Sequence, residues 1–324
     1  MNIAAYFASL NFASLPARMP AAIAQGLLWG LMALGVYITF RLLDVADLSV
    51  DGTFATGGAV TVMLLMAGLP AWAAVLIAML VGVLAGFVTG ILHTKLGIPA
   101  ILAGILTQFA LYSINLRIMG MKANQAANVK NYGMVWENAK GFLVSSRYIP
   151  QAIGIGAIIV AAVIAAYYWY FGTEQGAALR ATGSNAAMSR AQGININSMK
   201  VLGLALSNGI VALSGGLMTQ FQGTADVNMG RGAIVIGLAS IVIGEVLCSA
   251  FFRKDCNFAV KLAFVALGGV IYYIVMTLIL WLKLDPNDLK LFTALIVALF
   301  LAVPYWQKQA RSSFRRSAKQ KEVA

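Results

Sequence analysis

Ala46-Asp47-Leu48-Ser49-Val50-Asp51-Gly52-Thr53-Phe54 joins two long apolar blocks, and its reading decides the architecture of the chain. With Asp44 it sets three carboxylates into eight residues, and the only basic residue near them is Arg41. Chemistry alone leaves two readings open. Charge at bilayer depth is costly and marks a pathway or a broken helix lining a cavity. A solvated turn is the other reading, with Asp and Ser capping a helix that starts near Thr53 and Gly52 supplying the bend.

The surroundings are those of a membrane protein. Of 324 residues, 60% are hydrophobic and 10% charged, whereas soluble domains carry roughly 25% charged residues. A soluble enzyme and a disordered scaffold are both excluded. The apolar residues come in blocks of about twenty, enough to cross a bilayer as helix. Nine crossings are predicted, at 21–40, 52–67, 71–92, 99–118, 151–171, 200–221, 232–249, 259–282 and 291–306. The expected fold is all-α, a polytopic membrane helical bundle. Residues 1–20 form an N-terminal interfacial segment, its apolar stretch 3–15 broken by Asn11 and Pro16. Nothing in it reads as a removable signal peptide. The transmembrane domain spans 21–306, and 307–324 is a basic tail.

Basic residues orient the chain, which carries a formal charge of +12. Lys308, Arg311, Arg315, Arg316, Lys319 and Lys321 place the C-terminus in the cytoplasm. Alternation then puts Arg253, Lys254, Arg180, Arg190, Lys95 and Arg41 inside. The 119–149 loop falls outside despite Lys122, Lys130, Lys140 and Arg147, a mild violation that long loops tolerate. Tyr167–Tyr170 and Tyr305-Trp306 cluster at expected span ends, where amphipathic rings favour the interface.

The apolar blocks contain interruptions that an anchor would not need. Gly26/Gly30 and Gly82/Gly86/Gly90 give G-x-x-x-G spacings, read here as packing within one bundle rather than a dimer seam. Ala225-Asp226-Val227-Asn228-Met229-Gly230 echoes Ala46 to Val50, and Gly237 then matches Gly58 at the same offset. Alternation puts these two copies on opposite membrane faces, as in the inverted repeats of transporters. That weak repeat favours transport over anchoring. Candidate pathway residues are Asp47, Ser49, Asp51, Gln108, Asn208, Asp226 and Asn228, with Asn208 foremost. Asn115 and Gln220 are read as bonding neighbouring helices, and Glu245 as paired with Arg253 or water.

The connection at 172–198 reads as two short helices. The first covers 174–181 and is broken at Gly183; Ser184 or Asn185 caps the second, which ends at Gly193. Asn197 or Ser198 then caps span six. This ordered, lightly charged loop reads as a docking surface rather than a tether.

Gly176-x-x-Leu179-Arg180-Ala181-x-Gly183-x-Asn185, followed by Ala191-x-Gly193-Ile194, resembles the cytoplasmic coupling loop of ABC importer permeases. The branch concerned serves branched-chain amino acids and monosaccharides. Leu31 to Val60, with Gly35, Asp47-Leu-Ser-Val and Gly52, is similar to a stretch of the sugar permeases, and the likeness runs from about residue 26 to 300. The A-D-L-S-V-D-G-T-F string resembles a bacterial subgroup with relatives linked to tryptophan or tyrosine uptake. The sequence departs from the sugar branch in lacking its first full span and in having Glu245 with Cys248 where Gly-Gly is usual.

The resemblance implies a type II-like permease subunit in the bacterial inner membrane. It forms the pathway for a small organic solute, an amino acid or related compound. Implied partners are cytoplasmic ABC ATPase subunits, an extracytoplasmic substrate-binding protein that does most of the selecting, a second permease copy, and membrane lipid; nucleic acid is not one. Gly176, Leu179, Arg180, Ala181, Gly183, Asn185, Arg190 and Gly193 would couple to the ATPase. The chain has no G-x-x-x-x-G-K-[ST] and not one Gly-Lys pair, so ATP would be hydrolysed by another subunit. Two cysteines and the single His93 offer no disulfide framework and no metal cluster, and no cofactor or catalytic constellation is expected. The alternative is an ion-coupled secondary transporter working through Asp47, Asp51 or Glu245.

Overall fold

The computed structural model describes residues 14–127, 142–252 and 257–281, with isolated helical positions between 291 and 302. Apart from those positions, the expected ninth span and the tail lie outside the described residues, as do residues 1–13, Tyr305 and Trp306. The chain forms α1 (Ser14–Tyr37), which continues through a π-helical turn at Ile38–Leu42, then α2 (Val50–Met66), α3 (Ala71–Thr94) and α4 (Ala100–Ile118). After β1 (Asn124–Ala126) come α5 (Ile149–Gly172), α6 (Glu174–Ser184), α7 (Ala186–Ala191) and α8 (Ile196–Gln222). Then follow β2 (Thr224–Asp226), α9 (Ala233–Phe251) and α10 (Phe258–Trp281).

Among the described residues, seven helices are long and apolar enough to cross a membrane, and α2, at 17 residues, is a shorter apolar one. Two features differ from expectation. Helix α1 starts at Ser14 and runs through Pro16 and Pro20, so the end of the expected interfacial segment already belongs to it. The all-α reading also missed a small antiparallel ribbon, in which Asn124 pairs with Asp226 and Ala126 with Thr224.

The ends of α1, α3, α5 and α9 gather on the face that carries α6 and α7. Gly183 of α6 lies against the Leu42 carbonyl, the Lys200 ammonium meets His93 Nε2 at 3.2 Å, and Arg41 reaches Glu245. Helix α8 starts on that face while α1 ends there, so the two run antiparallel. The opposite face holds the ribbon and the 142–148 segment, tied down where Gln220 accepts from Leu143 N and donates to the Ala71 carbonyl.

Packing obeys an inverted two-fold plan. Helix α3 lies on α8, as α10 lies on α1; α2 adjoins α8, as α9 adjoins α1. Each repeat therefore docks its third helix on the first helix of the other. Glycine makes these seams close. Cβ atoms added at Gly26 and Gly30 would strike the backbone of Val270 and Ala266 in α10; at Gly82, Gly86 and Gly90 they would strike α8. The G-x-x-x-G patterns are thus seams within one chain, as small residues allow in a medium where burial of apolar area drives nothing. Serine hydroxyls of α8 add bonds to the α1 backbone, Ser207 to Gly35 O at 2.8 Å and Ser214 to Leu28 O at 2.7 Å.

Gly86→Ala is expected to destabilise the protein by about 1–3 kcal/mol, because its Cβ would come within 2.8 Å of Ala205 Cα. Gly154→Ala in α5, where nothing lies within 4 Å, should leave the melting temperature unchanged or slightly raised. Thermal unfolding in detergent, followed by size-exclusion chromatography, compares the two.

Candidate functional site

After its π turn, α1 stops at Asp44, which takes a left-handed φ of 55°, a conformation that Asp tolerates better than most residues. The chain then runs extended into the bundle, with Leu43, Val45, Asp47 and Ser49 buried and Asp44 and Ala46 exposed. The Asp47 carboxylate accepts from Ser49 N at 2.9 Å and Ser49 Oγ at 2.6 Å, an Asx turn. Its other oxygen accepts from Asn208 Nδ2 at 2.7 Å, and Ser49 Oγ also lies 3.2 Å from Asn208 Oδ1. Asp47, Ser49 and Asn208 are each at most 3% exposed. In the second repeat, Asp226 Oδ1 accepts from Asn228 N at 2.6 Å. The short sequence echo is therefore a repeated turn, made by equivalent side chains.

The two repeats meet at Asp51. Its carboxylate accepts from Gly232 N at 2.9 Å and from Ile234 N at 3.0 Å, capping α9 while sitting in the first turn of α2. Helix α2 runs toward the ribbon face and α9 toward the α6–α7 face. Their starts touch, so neither begins at its own membrane surface. Gly232 holds φ 84°, and a side chain at Gly230 would run into the Asp51 carbonyl. The segment is thus neither a solvated turn nor a side-chain cap of α2, whose N-cap Ser49 makes no such bond; Asp51 caps α9 instead, inside the bundle.

Beside this junction is a cavity of about 310 Å³, at the low end of small-molecule sites. Asp51, Gly52, Gln108, Phe109, Tyr112, Asn115, Val227, Asn228 and Arg231 line it. The candidate pathway residues therefore separate. Asp51, Gln108 and Asn228 face the cavity; Asp47, Ser49 and Asn208 form a closed hydrogen-bonded knot; Asp226 holds its own turn. Sequence reading passed over Arg231, Phe109 and Tyr112 and took Asn115 for a helix-packing residue. A signal existed: Gln108, Tyr112 and Asn115 are spaced by four and three, one polar stripe on α4. Glu245 bonds Arg41 at 2.6 Å; Arg253, its expected partner, lies outside the described residues.

On the α6–α7 face, Thr173 caps α6 by accepting from Gly176 N, Asn185 caps α7 by accepting from Met188 N, and Asn195 rather than Asn197 or Ser198 caps α8. Gly183 does not break α6. It stays helical because its bare Cα lets the helix lie against the chain at Leu42 and Leu43. Leu179 is fully buried, next to Gly203 of α8, and Gly176 packs on the end of α5. Ala181 is half-buried, whereas Arg180, Asn185, Arg190 and Gly193 are exposed, Gly193 with φ 82°.

The model of a family described as the branched-chain amino acid transport system / permease component matches residues 19–304. The chain belongs to this permease family. It is 39% identical over 279 residues to a tyrosine transport system permease protein of Clostridioides difficile, covering 86% of this chain and 88% of that one. It is 30% identical over 222 residues to an autoinducer 2 import system permease protein of Yersinia pestis, covering 67% and 58%. A ribose import permease protein of Haemophilus influenzae is 27% identical over 212 residues, covering 65% and 64%. No solved structure matches the permease.

Loss of the carboxylate in Asp51→Ala strands two α9 N–H groups and should cost the permease about 1–3 kcal/mol. Asp51→Asn, which keeps one acceptor oxygen, should fall between the variant and the parent. Thermal unfolding of the three proteins ranks them, and equal midpoints would mean the cap contributes nothing.

Proposed function

We propose that the chain is the membrane-spanning subunit of an ATP-driven importer, that it moves an amino acid or related solute, and that a separate ATPase docks on α6 and α7. The observation that carries this is the seating of the α6–α7 hairpin. Its inner side chains are locked into the bundle, Leu179 against α8 and Gly183 against the end of α1, while Arg180 and Arg190 remain exposed for a partner. A push on this hairpin bears directly on the end of α1 and the start of α8. Those two helices carry the knot and the junction: Asn208 of α8 holds Asp47, and the chain leaving α1 leads into Asp51. ATP-driven movement would thus shift the two repeats against each other and alter access to the cavity between them. On this reading the α6–α7 face is cytoplasmic, with the C-terminus on the same side.

The amino acid assignment draws support from the Clostridioides difficile relative's name and from the cavity's mixed lining. An extracytoplasmic binding protein would deliver solute at the ribbon face, and a second permease copy would complete the pathway in the bacterial inner membrane. Ion coupling finds no support. Asp47 and Asp51 are taken up by hydrogen bonds and Glu245 by Arg41, and the family is one of transport-system permeases.

Copurification with a P-loop ATPase, sought among the products of the neighbouring genes, tests the reading. The parent should bring the ATPase down; Arg180→Glu, or deletion of 176–193, should abolish the association. Uptake that persists without any ATPase and collapses with the proton gradient would defeat it.

A further inference from the structure

The cavity beside Asp51 holds polar groups that the bundle leaves without partners. Asn115 is 1% exposed, yet neither its amide nitrogen nor its carbonyl oxygen has a hydrogen-bond partner among the described residues. Asn228 Oδ1 is buried and equally unpaired. Stranding a buried polar atom costs about 1–3 kcal/mol, so groups like these mark a place where something else completes the bonding. Both line the same cavity.

The chemistry of the remaining walls narrows what that something is. Asp51 lies on the inner wall, its carboxylate accepting from Gly232 N and Ile234 N at the start of α9. Two unpaired carboxamide oxygens beside a carboxylate suit a cationic N–H donor, and the Asn115 amide nitrogen leaves one donor over for a ligand oxygen. Arg231 is exposed and makes no ion pair among the described residues, leaving its planar fork for a carboxylate. Phe109 and Tyr112 supply an apolar, aromatic wall. A neutral sugar would leave the Arg231 guanidinium without a counter-charge, whereas a zwitterion with an apolar body answers both Arg231 and the unpaired carboxamides.

We infer that this cavity is a selective subsite for an α-amino acid with an apolar or aromatic side chain. Arg231 takes the carboxylate, the carboxamides of Asn115 and Asn228 take the ammonium near Asp51, and Phe109 and Tyr112 flank the side chain. The permease then screens the solute itself instead of leaving the choice to a binding protein. This rests on the transport reading above.

The test is equilibrium binding to the purified permease–ATPase complex in nanodiscs, without any binding protein. Radiolabelled L-tyrosine is the probe. Competitors are unlabelled L-tyrosine, tyramine (no carboxylate), 3-(4-hydroxyphenyl)propionate (no ammonium) and D-ribose. L-Tyrosine should bind saturably, and the two truncated analogues should compete at least about tenfold more weakly, as the loss of a charge-assisted bond requires. D-Ribose should not compete. Arg231→Gln should bring L-tyrosine down to the level of tyramine without changing tyramine, and Arg231→Lys should restore part of the difference. Asn115→Leu should weaken L-tyrosine and tyramine but not 3-(4-hydroxyphenyl)propionate. Because Arg231 is exposed, its variants keep the test free of misfolding. Unchanged competition ratios in Arg231→Gln, competition by D-ribose, or no tyrosine binding by an intact complex would each overturn the subsite while leaving the transport reading in place. Failure of any ATPase to associate with the parent chain would instead overturn the transport reading.

Discussion

Asp51 stands between two helix starts that face each other inside an apolar bundle. Each start presents unpaired N–H groups and the positive end of a helix dipole. In a bilayer no water is at hand to satisfy such groups, so irregular backbone survives only where protein covers it. One carboxylate serves both ends, lying in the first turn of α2 and accepting two N–H groups from the start of α9. Remove that arrangement and two helices must begin elsewhere. The Asx turns at Asp47 and Asp226 lead the chain to this point from opposite faces. The cavity exists because these two re-entrant segments leave space against α4.

Around the junction the bundle is held by proximity more than by bulk. Helix α8 is the central post, with α1, α2 and α3 all laid against it. Its contacts are backbone to backbone at Gly57, Gly86 and Gly215, with serine hydroxyls where the gap allows. Lipid tails compete as well as any leucine for apolar surface, so close approach and hydrogen bonds are what remain to hold helices together. Leu80, Leu84, Ile101 and Leu106 accordingly point outward from α3 and α4.

Much of this was legible in the sequence, for definite reasons. Block length and composition set the helices, because bilayer thickness imposes one length on every crossing. The echo between Asp47 and Asp226 was readable because an Asx turn needs a specific short side chain at a specific spacing. The partners of those turns were not readable. Nothing in the order of residues says that Asn208 closes on Asp47, or that Asp51 reaches the start of α9, since both contacts span more than 150 positions. Gly183 misled for a related reason: glycine serves a helix break and a close helix approach equally well, and only the neighbouring Leu42 carbonyl distinguishes them. Arg231 was missed because a lone basic residue in a loop carries no pattern of its own.

The crossed packing of the repeats also governs how the molecule is made. Helix α1 leaves the ribosome long before α10, yet the glycine surface it presents is complementary to that later helix. Helix α3 likewise waits for α8. Neither half contains the partners its own seams need, so the N-terminal half must sit in the bilayer unfinished while the rest is synthesised. Severing the chain between α5 and α8 would give two fragments unable to fold separately, yet each holding the template for the other.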